Sequence, residues 1–423
     1  MTERREVVVT GLGAVTPSGL DAASTWDAVV NGRSAVTRLD APEFVGLPVR
    51  IGGLVRGFDP AVGIEPRLAR RLDPVQHWAL VAADEALAHA GVAADPALLP
   101  WDAERFGVVV ATGSGPVDAM QAATRTLDAR GPRAVPGTLS MHGAPDAAAA
   151  LISQRRGARG SSHAVCATCA SGAVGIGEAM RRIRHGYADA VLVVGMEDCL
   201  GPVNLASNAN LRALATGFED APTTASRPFD RGRTGFVMAQ GAAATLLEAA
   251  DAARARDAAP LARVIGFGAS SDAHHATAPH PEGRGAARAI TDCLADAGVD
   301  TAEVAHVNAH GTGTPLGDAA EIAAFERALG PDARRIPVTA TKSSTGHLLG
   351  ASGVVEALIA IETMRTGLVP PTINLDDPAF EGWDIVAGTA RAADVPTVLS
   401  TSFGFGGHNG ALLFARADGK ETA

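Results

Sequence analysis

The sequence predicts an α/β protein whose strands are covered on both faces. Short β-branched runs alternate with alanine-rich helical patterns almost throughout. The strand runs are continuously apolar instead of alternating, as buried, largely parallel strands are. In chain order they are "EVVVTGL", "FGVVVAT", "DAVLVVGM", "GAAATLLE", "LARVIGFG", "VAHVNAH", "IPVTATK" and "TVLSTSFGFG". The helical patterns are "LDPVQHWALVAADEALAHAG", "PDAAAALISQRRG", "GIGEAMRRIRHG", "GRGAARAITDCLADAGV", "AAEIAAFERALG" and "GVVEALIAIETMRTG", several closed by a glycine suited to a C-cap.

A third observation predicts that the unit occurs twice. Overlaid at an offset of 181 residues, Ala170-Ser171-Gly172 matches Ala351-Ser352-Gly353, Val174 matches Val355, Arg184 matches Arg365 and Gly186 matches Gly367. Two unrelated Ala/Gly-rich helices are the other reading of these matches. If the repeat is real, the polar stretch "EAADAARARDAAP" is its seam, dividing the chain into 1–255 and 256–423. An active site at strand ends from both halves then follows naturally.

The 423 residues are 47% hydrophobic, enough for a large core, and no apolar run reaches the length of a membrane helix. "MTERREVVVTGLG" leads directly into a strand pattern, so a cytoplasmic protein is expected. The four cysteines, 166, 169, 199 and 293, have no framework spacing and are expected to be reduced. A formal net charge of −10 argues against nucleic acid as the main partner.

Cys166-x-x-Cys169 supports three readings. A dithiol redox site needs the first cysteine exposed at a helix start, whereas "HAVCATCASG" places Cys166 in an apolar strand-like run, as a buried thiol. A zinc site needs a second pair, for which His306 and His310 in "HVNAH" are the candidates, but the neighbouring glycines and threonines add no ligand. In the third reading Cys169 is a nucleophile: small residues follow it, then a helix, whose N-terminal dipole favours thiolate and whose free N–H groups can form half an oxyanion hole. The second half supplies partners. "VNAHGTGTPLGD" carries His310, Thr312 and Thr314, and "TKSSTGHLLGASG" carries Lys342 and His347, each in a Gly/Ser/Thr-rich loop after a strand pattern.

These stretches, with "VVVTGLGAVTPSG", "CASG", "ASRPFDRGRTGFVMAQGA", "SDAHHATAPHPEG" and "SFGFGGHNG", resemble in content and order the β-ketoacyl-acyl-carrier-protein synthases of the thiolase superfamily, of the elongating synthase II or type II polyketide ketosynthase kind. The resemblance covers essentially the whole chain. It implies a duplicated α/β fold in five layers, α-β-α-β-α, and a decarboxylative Claisen condensation giving a 3-oxoacyl chain two carbons longer. It implies that Cys169 takes the acyl group as a thioester, while His310 and His347 drive decarboxylation of malonyl and steady the enolate. Lys342 and Glu356 stand behind the histidines, and the backbone N–H groups of Cys169 and Phe405 form the oxyanion hole. Phe403 and Phe405 form a gate, Thr312 and Thr314 bind the pantetheine arm, and Pro116 and Val117 border the acyl pocket, commonly at a dimer interface. No metal or dissociable cofactor is implied, since substrates arrive on acyl carrier protein.

Several positions depart from the family's pattern. "ATC" reverses the usual order before the nucleophile, Thr234 and Gln240 replace two acids, and "GSGPVDAM" puts Pro116-Val117-Asp118 where a flexible glycine pair is common. The last departure points to a shorter, unsaturated or otherwise specialised acyl group. An acidic carrier needs local positive charge on this acidic protein, and Arg67, Arg70, Arg71 and Arg133 are the candidates. The resemblance leaves open a homodimer, a heterodimer with a chain-length factor, and a non-decarboxylating acyltransferase on the same fold.

Overall fold

The computed structural model describes residues 4–417. Ten strands form one sheet: β1 Val7–Val15, β2 Phe106–Ala111, β3 Ser162–Val165, β4 Ala190–Glu197, β5 Gly241–Ala249, β6 Ala262–Ser271, β7 His306–Asn308, β8 Val338–Thr339, β9 Thr397–Gly404 and β10 His408–Arg416. Their spatial order is β8-β7-β9-β10-β6-β1-β5-β4-β2-β3. Numbered from its own first strand, each half runs 3-2-4-5-1, so the two halves share one topology and meet where β1 lies against β6.

Six helices complete five layers: α1 Pro74–His89, α2 Ala147–Arg156, α3 Ser171–Arg184, α4 Arg284–Ala297, α5 Pro315–Leu329 and α6 Ser352–Thr366. α1 and α2 cover one outer face and α4 and α5 the other, while α3 and α6 lie between the half-sheets. This explains the continuously apolar strands. On β2 and β4, Val108, Val110, Leu192 and Val194 face an outer core, whereas Val109, Val191 and Val193 face the central one. At about 25 cal/mol per Å² of apolar surface removed from water, both faces favour apolar side chains.

Close backbone contact is needed in the same places in each half. A Cβ on Gly11 or Gly13 would meet carbonyl oxygens of α1 at 2.0 and 2.1 Å, and one on Gly268 would meet Ala289 O of α4 at 2.0 Å. Between the halves, a Cβ on Gly172 would lie 2.7 Å from Val354 N, and one on Gly353 would lie 2.5 Å from Ala173 N. The helices that follow the two matched Ala-Ser-Gly stretches therefore touch backbone to backbone.

The strands are mixed, which corrects the expectation of a largely parallel sheet. β2 runs parallel to β3 and β4, and β7 runs parallel to β8 and β9. The middle of the sheet is antiparallel. β9 and β10 must be antiparallel because the short turn Phe405–Gly407 joins them, pairing Gly404 with His408. The strand missing from the sequence reading, β10, is the return of this hairpin, and β3 is the short edge strand within the strand-like run read before Cys169. Helix Val117–Arg130 also replaces the expected stiff loop, with Pro116 as its N-cap residue. No helix among the described residues is long and apolar enough to cross a membrane.

Candidate active site

Cys169 sits in a 3₁₀ turn, Thr168–Ala170, between the end of β3 and the start of α3. Thr168 has φ +49°, a left-handed conformation unusual for a β-branched residue. It is held there because its hydroxyl donates to Phe405 O at 2.8 Å, and Ser171 Oγ accepts from Ala167 N at 2.8 Å. The threonine that departs from the usual order thus ties the cysteine turn to the Phe403-Gly404-Phe405 segment. At the 181-residue offset, Leu349 repeats the left-handed residue with φ +43°, and Gly350 stands where Cys169 does. Glu197 links the loop after β2 to the Leu349–Ala351 turn, accepting from Gly113 N at 2.5 Å and from Gly350 N at 2.9 Å.

Cys166 is exposed, not buried as its apolar neighbours led us to expect. β3 is one of the two edge strands of the sheet, so the chain leaving it has no neighbour on one side. Both cysteines are free thiols, and Cys166 follows directly on β3 instead of standing at the helix start that the dithiol reading requires. The zinc reading built on His306 also fails in its geometry: His306 lies on β7, fully buried, and takes no part in the cluster around Cys169.

The cluster consists of Cys169, His310 and His347, all buried, with their potential ligand atoms within 4.8 Å of one another. The imidazoles are 5.3 Å apart between centroids and nearly perpendicular, at 83°. His310 is positioned through its backbone and His347 through its ring. Glu321 on α5 accepts the N–H groups of His310 (2.7 Å) and Gly311 (2.8 Å), with Thr401 Oγ1 donating to it at 2.9 Å. Lys342 Nζ donates to His310 O at 2.6 Å and pairs with Glu356 of α6. His347 Nδ1 meets Ser352 Oγ at 3.0 Å, so its Nε2 faces the cluster with no partner among the described residues.

Burial governs the electrostatics. It pushes the Cys169 thiol up to about 12, against the opposing pull of Lys342 and the N–H groups of Phe405 and Cys169 that point at the sulfur. A resting thiolate at a helix start is not what burial favours: α3 begins two residues later, at Ser171, and the desolvated thiol prefers its neutral form. Burial also holds both histidines well below the ordinary imidazole value, with Lys342 adding to the effect. They are neutral and able to donate. Glu356 is pushed up to about 7 by burial, against the pull of Lys342.

A cavity of about 360 Å³ reaches this cluster. Thr312, Thr314, Phe403 and Phe405 line it, and Thr312 and Thr314 face each other, Oγ1 to Oγ1, at 3.1 Å. Phe403 lies 5.9 Å from the His310 ring. Pro116 and Val117 do not line this cavity; Val117 borders a separate surface depression with Met120, Gln121, Thr124, Arg125 and Val203. The reason is local: the loop before Pro116 is anchored on Glu197, and the helix from Val117 carries that side chain away from the sulfur. Arg67, Arg70, Arg71 and Arg133 are exposed, without an acidic partner within ion-pair distance among the described residues. Thr234 lines the cavity and Gln240 is buried, so no carboxylate occupies either position.

Sequence reasoning missed Glu197, Glu321, Ser352 and Arg212, the last an exposed cation at the cavity rim. Only Ser352 had a legible signal, its match with Ser171 in the overlay.

Two family descriptions match the chain: the N-terminal domain of β-ketoacyl synthase over residues 4–253, and its C-terminal domain over 261–376. The chain is 39% identical to the 3-oxoacyl-[acyl-carrier-protein] synthase 2 of Vibrio harveyi over 416 residues, covering 98% of this chain and 99% of that protein. It is also 39% identical, over 419 residues and with the same coverage, to the enzyme of that name from Synechocystis sp.. Among solved structures, a β-ketoacyl synthase from Burkholderia phymatum superimposes with a TM-score of 0.89 at 35% identity, covering 98% of this chain and all of that one. A type II polyketide ketosynthase, solved in complex with its acyl carrier protein and bound to a hexaketide, gives 0.89 at 29% identity, with 98% and 100% coverage.

Proposed function

Because this chain belongs to the β-ketoacyl synthase family, we propose that it joins an acyl group held on Cys169 to malonyl-acyl carrier protein by decarboxylative Claisen condensation. The product is a 3-oxoacyl-carrier thioester two carbons longer, in fatty acid or type II polyketide synthesis. The observation that carries this reading is the convergence of one thiol and two neutral imidazoles at the end of a cavity, with two backbone N–H groups aimed at the sulfur.

In the first half-reaction the sulfur attacks the carrier thioester. A proton leaves the thiol, the Phe405 and Cys169 N–H groups receive the developing oxyanion, and the carrier thiol departs. In the second, the malonyl carboxylate leaves as CO₂ and its electron pair becomes an enolate on the thioester oxygen. Two neutral imidazole donors aimed at that oxygen lower the barrier. The enolate carbon then attacks the acyl-cysteine and frees the sulfur.

No resident cofactor is called for. The Thr312 and Thr314 hydroxyls hydrogen-bond the pantetheine arm, the Phe403–Phe405 segment gates the sulfur, and the exposed arginines 67, 70, 71 and 133 dock the acidic carrier. The halves divide at 1–255 and 256–423, with the first supplying the thiol and the second both histidines. The enzyme works in the cytoplasm as a dimer, in which β3, an edge strand of the sheet, and the exposed Met120 and Val203 beside Val117 form the interface. Pro116 and Val117 border the acyl group in that assembly, and their stiffness selects a shorter, unsaturated or otherwise specialised chain. A chain-length factor is the alternative occupant of that face, a pairing found in the ishigamide ketosynthase/chain length factor, which superimposes with a TM-score of 0.89.

The test is incubation with malonyl-carrier and a panel of acyl-carriers, with products read by intact mass. Expected are an acyl adduct on Cys169 and CO₂ release with a two-carbon-longer product. Acyl transfer without CO₂ release would establish the simple acyltransferase reading instead.

A further inference from the structure

The side chains assigned to condensation also have the composition of a three-ligand metal site. Cys169, His310 and His347 converge with every pair of potential ligand atoms within 4.8 Å. Tetrahedral zinc, with Zn–S about 2.3 Å and Zn–N about 2.0–2.1 Å, places such ligands about 3.3–3.6 Å apart, so side-chain rotations of about 1 Å close the set. The rings are nearly perpendicular instead of stacked, at 83°, so both can aim at one point beside the sulfur. His347 is already oriented for this. Its Nδ1 is engaged with Ser352 Oγ at 3.0 Å, while Nε2 is buried with no partner among the described residues. Metal-bound histidines commonly have such an outer partner on the second nitrogen.

We propose that the acyl-free protein binds one thiophilic divalent cation of the zinc type through Cys169 Sγ, His347 Nε2 and a ring nitrogen of His310, and that the bound metal blocks acyl loading. The S–H bond breaks, the sulfur electron pair forms the bond to the metal, and the proton leaves to solvent; nothing is oxidised or reduced. The cavity leaves the fourth coordination position open to water. One thiolate and two imidazoles suit zinc and not magnesium or calcium, which favour oxygen ligands. Lys342 opposes a nearby cation, but Glu356 pairs with it and offsets its charge. The metal takes no part in condensation. Its effect on loading rests on the acyl-acceptor role of Cys169 proposed above.

The test uses the full chain, stripped with a chelator and titrated with Co²⁺ and then Zn²⁺. Expected is one Co²⁺ per chain with a thiolate-to-cobalt charge-transfer band and the visible bands of four-coordinate cobalt, all lost on adding Zn²⁺ and unaffected by Mg²⁺. Cys169→Ala, confirmed as folded by circular dichroism, should lose the charge-transfer band. Ser352→Ala, which keeps every ligand, should weaken Zn²⁺ binding about 10- to 100-fold. Absence of binding, or a charge-transfer band that persists in Cys169→Ala, overturns the site. Intact mass then follows acyl loading with and without Zn²⁺. Unchanged loading by the zinc-bound protein overturns the block, whereas failure of the metal-free protein to load overturns the acyl-acceptor reading and leaves the cobalt result standing.

Discussion

Desolvation sets the behaviour of Cys169. With its thiol raised from 9.0 to about 12, the folded protein prefers the neutral form, and this costs nothing below pH 9. Above pH 9 the unfolded thiol ionises while the folded one does not, so this group removes stability as pH rises from 9 towards 12. Alkylation of Cys169 by a neutral haloacetamide, followed by intact mass, should therefore keep accelerating beyond pH 9; a plateau near neutral pH would contradict it. His310→Ala should slow CO₂ release from malonyl-carrier by about 10²–10³-fold, the usual cost of one oxyanion donor, while acyl loading of Cys169 survives. Lys342 and Glu356, each 2% exposed, make a buried pair. Lys342→Met should cost about 3–5 kcal/mol by denaturant titration, and adding Glu356→Gln should recover part of it, because removing one partner leaves an uncompensated polar group. Cys169, His310 and His347 were legible as residues because each lies in a short stretch of small, turn-forming neighbours. Glu321 was not, since its partner is the backbone N–H of a histidine eleven positions earlier.

The crossing of α3 and α6 is the most demanding contact between elements. Gly172→Ala or Gly353→Ala would force a methyl group against main-chain atoms that cannot rotate away. Each should lower stability by about 1–3 kcal/mol, measured by urea titration, and should reduce activity by displacing the Cys169 turn from the His347 loop. The periodicity of helices such as Pro74–His89 and Arg284–Ala297 made them readable, and Gly298 closes the latter in the left-handed conformation expected of a C-cap. The helix from Val117 was not readable. Proline in a glycine-rich setting looks like a loop, yet Pro116 precedes the helix instead of interrupting it. β10 was equally hidden, because it follows β9 after a turn of only three residues.

At the scale of the molecule, a net charge of −10 must be reconciled with an acidic carrier. Replacing Arg67, Arg70 and Arg71 together by alanine should raise KM for carrier-borne thioesters about tenfold at low salt and leave turnover of a small pantetheine thioester unchanged. A salt-sensitive carrier affinity that survives the replacement would reject the docking role. The whole architecture rests on repetition: equal strand orders, paired left-handed residues at 168 and 349, and one cysteine against one glycine at equivalent positions. The sequence alone determined the α/β class, pointed to the duplication and picked out the three candidate residues, because apolar runs, a fixed offset and small-residue turns are local patterns written along the chain. Strand direction, the exposure of Cys166, the neutral state of the buried thiol and the removal of Val117 from its cavity were decided only by tertiary structure. Each depends on what lies across space from a residue: the next strand, an open edge, or the water that folding excludes.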